Sequence, residues 1–282
     1  MGFMATDKFI EINGLRLHYM ESGNADAPAI MCLHGLTNNA HDFDLIAPYL
    51  AARYRVIALD VRGRGDSQWG EPANYNIPTY VTDIDALLDK LGLPRVSLIG
   101  NSMGGRISLL YALGQPARVD RLVMNDIGPS IEAATTERIN QHVAKTPVDF
   151  ANLDEVVSYY AADPSMAGLA GHAGPALADC ARFTVKTAPN GRLSWKTDTA
   201  LRNSTPGQTA IRQLDLWPRL ANLTVPLLIV RGGTSDVLPV AMAQRMCETA
   251  PDARLVEVAG VGHVPSLVEP EALAALRDFF LL

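Results

Sequence analysis

Residues 98–107 read "LIGNSMGGRI". An apolar run ends at Gly100, a lone serine follows, and the chain turns helix-like again. Small residues two before and two after Ser102 let a helix pass close to a strand, and the spacing Gly100-Asn101-Ser102-Met103-Gly104 fits G-x-S-x-G, a sharp strand-to-helix turn that projects its serine. A serine hydroxyl is a weak nucleophile at neutral pH and needs a base, which in turn needs an orienting acid. The same five residues also suit a plain glycine-rich turn, so the rest of the chain has to supply the partners.

Of the six histidines, His263 is the candidate base. It lies in "GVGHVP", where Gly260 and Gly262 allow the loop to bend back toward a sheet edge. His18, His41, His142 and His172 read as surface or hydrogen-bonded core residues, and His34, before Gly35, reads as a brace for its loop. Two aspartates could be the acid. Asp236 in "RGGTSDVLP" is the first choice, and Asp126 in "NDIGP", which could instead bond local backbone N–H groups at a turn, is the alternative. Both satisfy the chain order Ser…Asp…His.

These residues need a scaffold that brings strand ends together. Buried strands are predicted at "AIMCL" (29–33), "RVIAL" (55–59), "RVSLI" (95–99), "RLVMN" (121–125), "PLLIV" (226–230) and "RLVEV" (254–258), with a hairpin over 8–21 around Asn13-Gly14. Helical spacing falls at 39–52, 78–91, 103–114, 239–249 and 269–281. The alternation predicts an α/β fold: a mostly parallel sheet with helices on both faces, whose site lies at the carboxyl ends of the strands. Ser102, Asp126, Asp236 and His263 each follow such an end. Between about 129 and 215 the alternation stops and helix-like segments appear near 131–145, 152–162 and 175–187. The expected organisation is a core of 1–128 and 216–282 with a mostly helical cap or lid, 129–215.

Composition sets bounds. Hydrophobic residues are 48% and charged residues 19% of the 282, ordinary for a globular chain, and the formal charge of −6 leaves no basic footprint for nucleic acid or anionic membrane. Three cysteines without C-x-x-C spacing imply no disulfide framework. No secretory leader or bilayer-length apolar run is read, so a cytoplasmic protein is expected. "DVRGRGDS" lacks the spacing and lysine of a phosphate loop. Asp60, Arg62 and Asp66 in it read as structural ion-pair partners, and Trp69, Trp195 and Trp217 read as packing or pocket walls.

Taken in order, "HGL", "DVRGRGDS", "GNSMGG", "RGGTSDVLP" and "GVGHVP" resemble the α/β-hydrolase fold group with a helical cap, over nearly the whole chain. The resemblance implies a Ser102–His263–Asp236 triad. It also implies an oxyanion hole from the backbone N–H groups of Met103 and Leu36. Relatives with an alkyl-enzyme ester carry Asp at the elbow, whereas Ser102 suits acyl transfer to water. The expected function is hydrolysis of a small-molecule ester or lactone through an acyl-enzyme, with no metal or organic cofactor. The rivals are a C–C bond hydrolase, a cofactor-free haloperoxidase or perhydrolase, and a small-molecule receptor that retains the fold.

Overall fold

The computed structural model describes residues 5–162, 175–202 and 215–282. Eleven strands are described: β1 Thr6–Ile12, β2 Leu15–Ser22, β3 Ala29–Leu33, β4 Arg55–Leu59, β5 Val96–Asn101, β6 Val119–Asn125, β7 Asp149–Phe150, β8 Val185–Thr187, β9 Leu193–Trp195, β10 Leu227–Gly232 and β11 Ala253–Val258. Eight of them form one sheet in the order β1-β2-β4-β3-β5-β6-β10-β11. β1 and β2 pair antiparallel, as do β2 and β4, and every other pairing in this sheet is parallel.

Side chains alternate across this sheet with the period of two that a strand imposes. Met31, Leu33, Ile57, Leu59, Leu98, Leu122, Met124, Leu227 and Ile229 enter one core. Their neighbours Ile30, Cys32, Val56, Ala58, Ile99, Val123, Leu228 and Val230 enter the other. Both faces are therefore covered, and the central strands read as unbroken apolar runs rather than alternating ones. Each fully buried Leu or Ile contributes about 1.5–3 kcal/mol of transfer free energy, so a charge at Ile99 would disrupt the sheet beside the serine turn.

The helices are α1 Ala47–Leu50, α2 Ile77–Lys90, α3 Met103–Gly114, α4 Ala133–Lys145, α5 Leu153–Ala162, α6 Pro175–Thr184, α7 Thr199–Arg202, α8 Trp217–Leu220, α9 Val240–Thr249 and α10 Pro270–Phe280. In α2, Asn76 caps the first turn by accepting the Thr79 N–H at 2.9 Å, and Pro78 sits where a helix needs no N–H. The single helix expected over 39–52 is instead a 3₁₀ turn, Ala40–Phe43, followed by the short α1. Pro48 fits only the first turn of a helix, which splits the segment.

The chain leaves the sheet after β6 and returns at β10. Helices α4, α5 and α6 lie in this segment, but the expectation of a mostly helical insertion misses a second sheet in the order β7-β9-β8. The segment has its own core of Phe150, Val156, Tyr160, Ala181, Val185 and Trp195. His172 lies outside the described residues. Among the described residues, no helix is long and apolar enough to cross a membrane.

Candidate active site

The serine turn is built by close approach. A Cβ on Gly104 would lie 1.9 Å from the Leu33 carbonyl oxygen, and one on Gly100 would lie 2.3 Å from the Gly104 backbone. Glycine at both positions lets α3 cross against β3 and β5. Ser102 itself takes φ +50° and ψ −114°, a sparsely populated conformation. Its N–H donates to the Asn125 carbonyl at 2.9 Å, which fixes the turn to β6.

His263 reaches this serine from the loop after β11. Its Nε2 lies 2.9 Å from Ser102 Oγ and its Nδ1 lies 2.8 Å from Asp126 Oδ2. Asp126 leaves β6 with φ +56° and its side chain is fully buried. It accepts two further bonds: the Gly232 N–H at 2.9 Å on Oδ1 and the Ser235 hydroxyl at 2.5 Å on Oδ2. A carboxylate supplied with these donors stays an acceptor, so the imidazole proton belongs on Nδ1 and the Nε2 lone pair faces Ser102.

The acid expected at Asp236 is thus corrected: the carboxylate against His263 is Asp126. Asp236 has a side chain 66% exposed and pairs with Arg138 of α4 at 2.8 Å, whose guanidinium also takes the Asp236 carbonyl at 2.9 Å. The physical reason lies one residue earlier. Ser235 occupies the inward position of the loop and bonds Asp126, so Asp236 faces out and ties α4 to the core.

Met103 follows Ser102 at the head of α3, and Leu36 lies in the loop after β3, next to Gly35. Neither backbone N–H makes a hydrogen bond among the described residues, so both are available as donors. The Leu36 loop is braced by His34, as the sequence suggests. His34 is buried; its Nε2 accepts the Val61 N–H at 3.0 Å and its Nδ1 donates to the Gly35 carbonyl at 2.7 Å. Burial pushes this imidazole down to about 4, so it stays neutral.

A polar chain that sequence reasoning missed runs beneath these groups. The Asn125 amide donates to Asn101 Oδ1 at 2.9 Å and to the Pro265 carbonyl at 2.8 Å. Asp42 accepts a hydrogen bond from the Asn38 amide at 3.1 Å, and burial of its carboxyl group pushes its pKa up to about 6. The ends of β5 and β6 and the loop after β11 are joined by the Asn125 amide. The legible signal was position: Asn101 and Asn125 immediately precede Ser102 and Asp126.

The structure separates the "DVRGRGDS" residues. Asp60 binds His18 Nδ1 at 2.7 Å and the backbone of Ala40 and Asp66, while Arg62 forks onto Asp83 at 2.6 and 2.5 Å and Asp66 pairs with Lys196. Burial opposes charge on His18 and Asp60, but their mutual bond raises the pKa of the first and lowers that of the second. The ligand atoms of His18, Asp60 and Asp66 lie within 4.8 Å of one another. His18 already spends both ring nitrogens, on Asp60 and Asp7, so the cluster is a hydrogen-bonded strut. Of the tryptophans, Trp195 packs in the core of the inserted segment, Trp69 lies under Lys186 and Trp217 donates to Ser130.

Comparison with known proteins gives the same picture. A family model described as alpha/beta hydrolase fold matches residues 28–154. The chain is 32% identical to the 3-hydroxybutyrate-oligomer hydrolase of Cupriavidus necator over 274 residues, 94% of this chain and 92% of that one. It resembles the crystal structure of an alpha/beta hydrolase from Novosphingobium aromaticivorans with a TM-score of 0.84, at 32% identity and covering 98% of both chains. It also resembles E-2-(acetamidomethylene)succinate hydrolase with a TM-score of 0.86, at 27% identity and covering 99% of this chain and 100% of that one. With a serine turn, an eight-stranded sheet and relatives along its whole length, the chain belongs to the α/β-hydrolase fold family.

Proposed function

We propose that the protein hydrolyses a carboxylic ester of a small molecule through an acyl-enzyme on Ser102, with His263 as base, Asp126 as its orienting acid, and the N–H groups of Leu36 and Met103 as the oxyanion hole. The observation that carries this reading is the unbroken chain Ser102 Oγ, His263, Asp126 at 2.9 and 2.8 Å. His263 Nε2 takes the Ser102 proton as Oγ attacks the carbonyl carbon. The tetrahedral oxyanion rests on the two N–H groups at the head of α3 and in the Leu36 loop. Collapse releases the alcohol with the proton from Nε2, and water repeats the sequence on the acyl-enzyme. No step calls for a metal or an organic cofactor.

Units in an oligomer of 3-hydroxybutyrate are joined by ester bonds. The full-length likeness to a hydrolase of that name supports an ester ahead of a lactone or a C–C bond. The segment between β6 and β10 rises beside Ser102 as a lid, held by Phe183, which stacks on His41 at 3.5 Å and whose carbonyl accepts from Asn39. Tyr160 and Val185 instead pack the lid's own core.

The test is a panel of hydroxyalkanoate dimers, simple esters, lactones and 2-(acetamidomethylene)succinate, run under multiple turnover with fluorophosphonate labelling. One label on Ser102, and a loss in S102A of labelling and of about 10⁴-fold or more in kcat, is expected. Labelling elsewhere overturns the mechanism. Binding without turnover would favour a receptor, and turnover confined to 2-(acetamidomethylene)succinate, whose acetamido group is an amide, would replace the ester assignment.

A further inference from the structure

We propose that Arg64 is a positioning residue that holds a buried, unpaired positive charge directly behind the oxyanion hole. The inference rests on the acyl-transfer reading of Ser102. The Arg64 side chain is fully buried. Its Nε donates to the Leu36 carbonyl at 3.0 Å, and one terminal nitrogen approaches Met103 Sδ at 3.6 Å. The guanidinium therefore grips both residues whose N–H groups form the hole. Its other nitrogen donates to the Arg62 carbonyl at 3.0 Å and the Tyr80 hydroxyl at 2.8 Å. The rings of Tyr80 and Tyr75 lie 5.1 and 5.8 Å from it.

Every one of these partners is neutral. No carboxylate pairs with Arg64 among the described residues, and the nearby acids are engaged elsewhere. Asp83 is held by Arg62, Asp60 by His18 and two backbone N–H groups, and Asp198 by the Tyr75 hydroxyl and the Ala200 N–H. A guanidinium keeps its proton under all ordinary conditions, and taking one out of water without a counter-charge is costly. Glutamine could hold the Leu36 carbonyl at less cost. A fixed cation is worth that cost where negative charge appears during reaction, because a preorganised charge in a water-poor site stabilises the oxyanion with no rearrangement. Arg64 meets that description, with its anion supplied only in the tetrahedral state.

The experiment compares wild type, R64Q and R64K with two ketone isosteres of a substrate ester. A trifluoromethyl ketone accepts Ser102 to form an anionic hemiketal, whereas the methyl ketone of the same skeleton binds without charge. In R64Q, about tenfold to hundredfold losses are expected, in parallel, in kcat/KM and trifluoromethyl ketone affinity. Methyl ketone affinity and KM should change less than about threefold, and R64K should restore most of the loss. A folded R64Q that loses both ketones equally, or neither, overturns the proposal, because a merely structural contact would not discriminate by charge. Should R64Q not fold, R64K decides. It supports the proposal if it keeps the preference for the fluorinated ketone and overturns it if that preference falls tenfold. If the wild-type protein never adds the fluorinated ketone at Ser102, the acyl-transfer reading itself fails and takes this inference with it.

Discussion

Replacing Asp126 by asparagine tests which carboxylate serves His263, and the hydrogen bonds define what should happen. The Gly232 N–H at 2.9 Å requires an acceptor where Oδ1 now sits. An asparagine that keeps that bond turns its NH₂ toward Ser235 and toward His263 Nδ1, which then must be unprotonated. The imidazole proton moves to Nε2, faces Ser102 Oγ, and the base is lost. The opposite amide orientation restores the tautomer but sets an NH₂ against the Gly232 N–H, at about 1–3 kcal/mol for the unmet donor. A wrong-tautomer triad loses about 10⁴-fold in kcat, which is about 5.5 kcal/mol of activation free energy. D236N is the control. Its ion pair with Arg138 is exposed on both sides, 66% and 50%, and such pairs are worth about 1 kcal/mol or less. Its kcat should stay within about twofold on a substrate too small to feel the lid. The assay is saturating ester hydrolysis on both variants, with circular dichroism and thermal melts to verify folding. If D236N loses a hundredfold or more while folded D126N stays within tenfold, the reasoning from geometry is wrong.

Three further outcomes follow from particular contacts. G104A should fail to fold or lose all Ser102 labelling, because its Cβ meets the Leu33 carbonyl at 1.9 Å; soluble yield and fluorophosphonate labelling measure this. His34 is held down to about 4 against an ordinary 6.5, so between those values the unfolded chain binds a proton that the folded one does not. Stability should fall as pH drops through that window, by about 3 kcal/mol at most from this group, and urea midpoints at pH 7 and pH 4 should differ less in H34Q than in wild type. F183A should reorder the substrate panel while leaving fluorophosphonate labelling of Ser102 near wild type; an unchanged ranking in a folded variant would make the lid scaffolding and send specificity to the core loops.

The sheet was legible because its central strands are buried on both faces, and a run such as "AIMCL" has no solvent-side interruption to blur it. The serine turn was legible because close packing leaves glycine no substitute at 100 and 104. The β7-β9-β8 sheet was not, since strands of two or three residues carry no usable period and are fixed by local pairing and by the packing of Phe150 and Trp195. Nothing in the sequence of the glycine-rich loop singles out Arg64 from Arg62. The burial of Arg64 comes from α2, through Tyr80, and from the Leu36 loop, neither of which is adjacent in sequence.

The choice of acid shows the limit most clearly. Order along the chain admitted both aspartates, and loop sequences do not state which way each side chain faces. What separates them is distance from the strand end. Asp126 follows the last residue of β6 directly, so the strand itself aims it, and its own N–H is fixed by the Val230 carbonyl at 2.7 Å. Asp236 comes four residues after the end of β10, beyond a turn in which Ser235 takes the inward place. The same logic explains the asparagines. Asn101 and Asn125 are the final residues of β5 and β6, each one step before a residue of the hydrogen-bonded chain, and their amide contact at 2.9 Å joins the two strand ends where Ser102 and Asp126 begin. Asp126 at the strand end shares the rigidity of the sheet, and it is this placement, next to Asn125 and bonded to the loop after β10, that holds its carboxylate against His263.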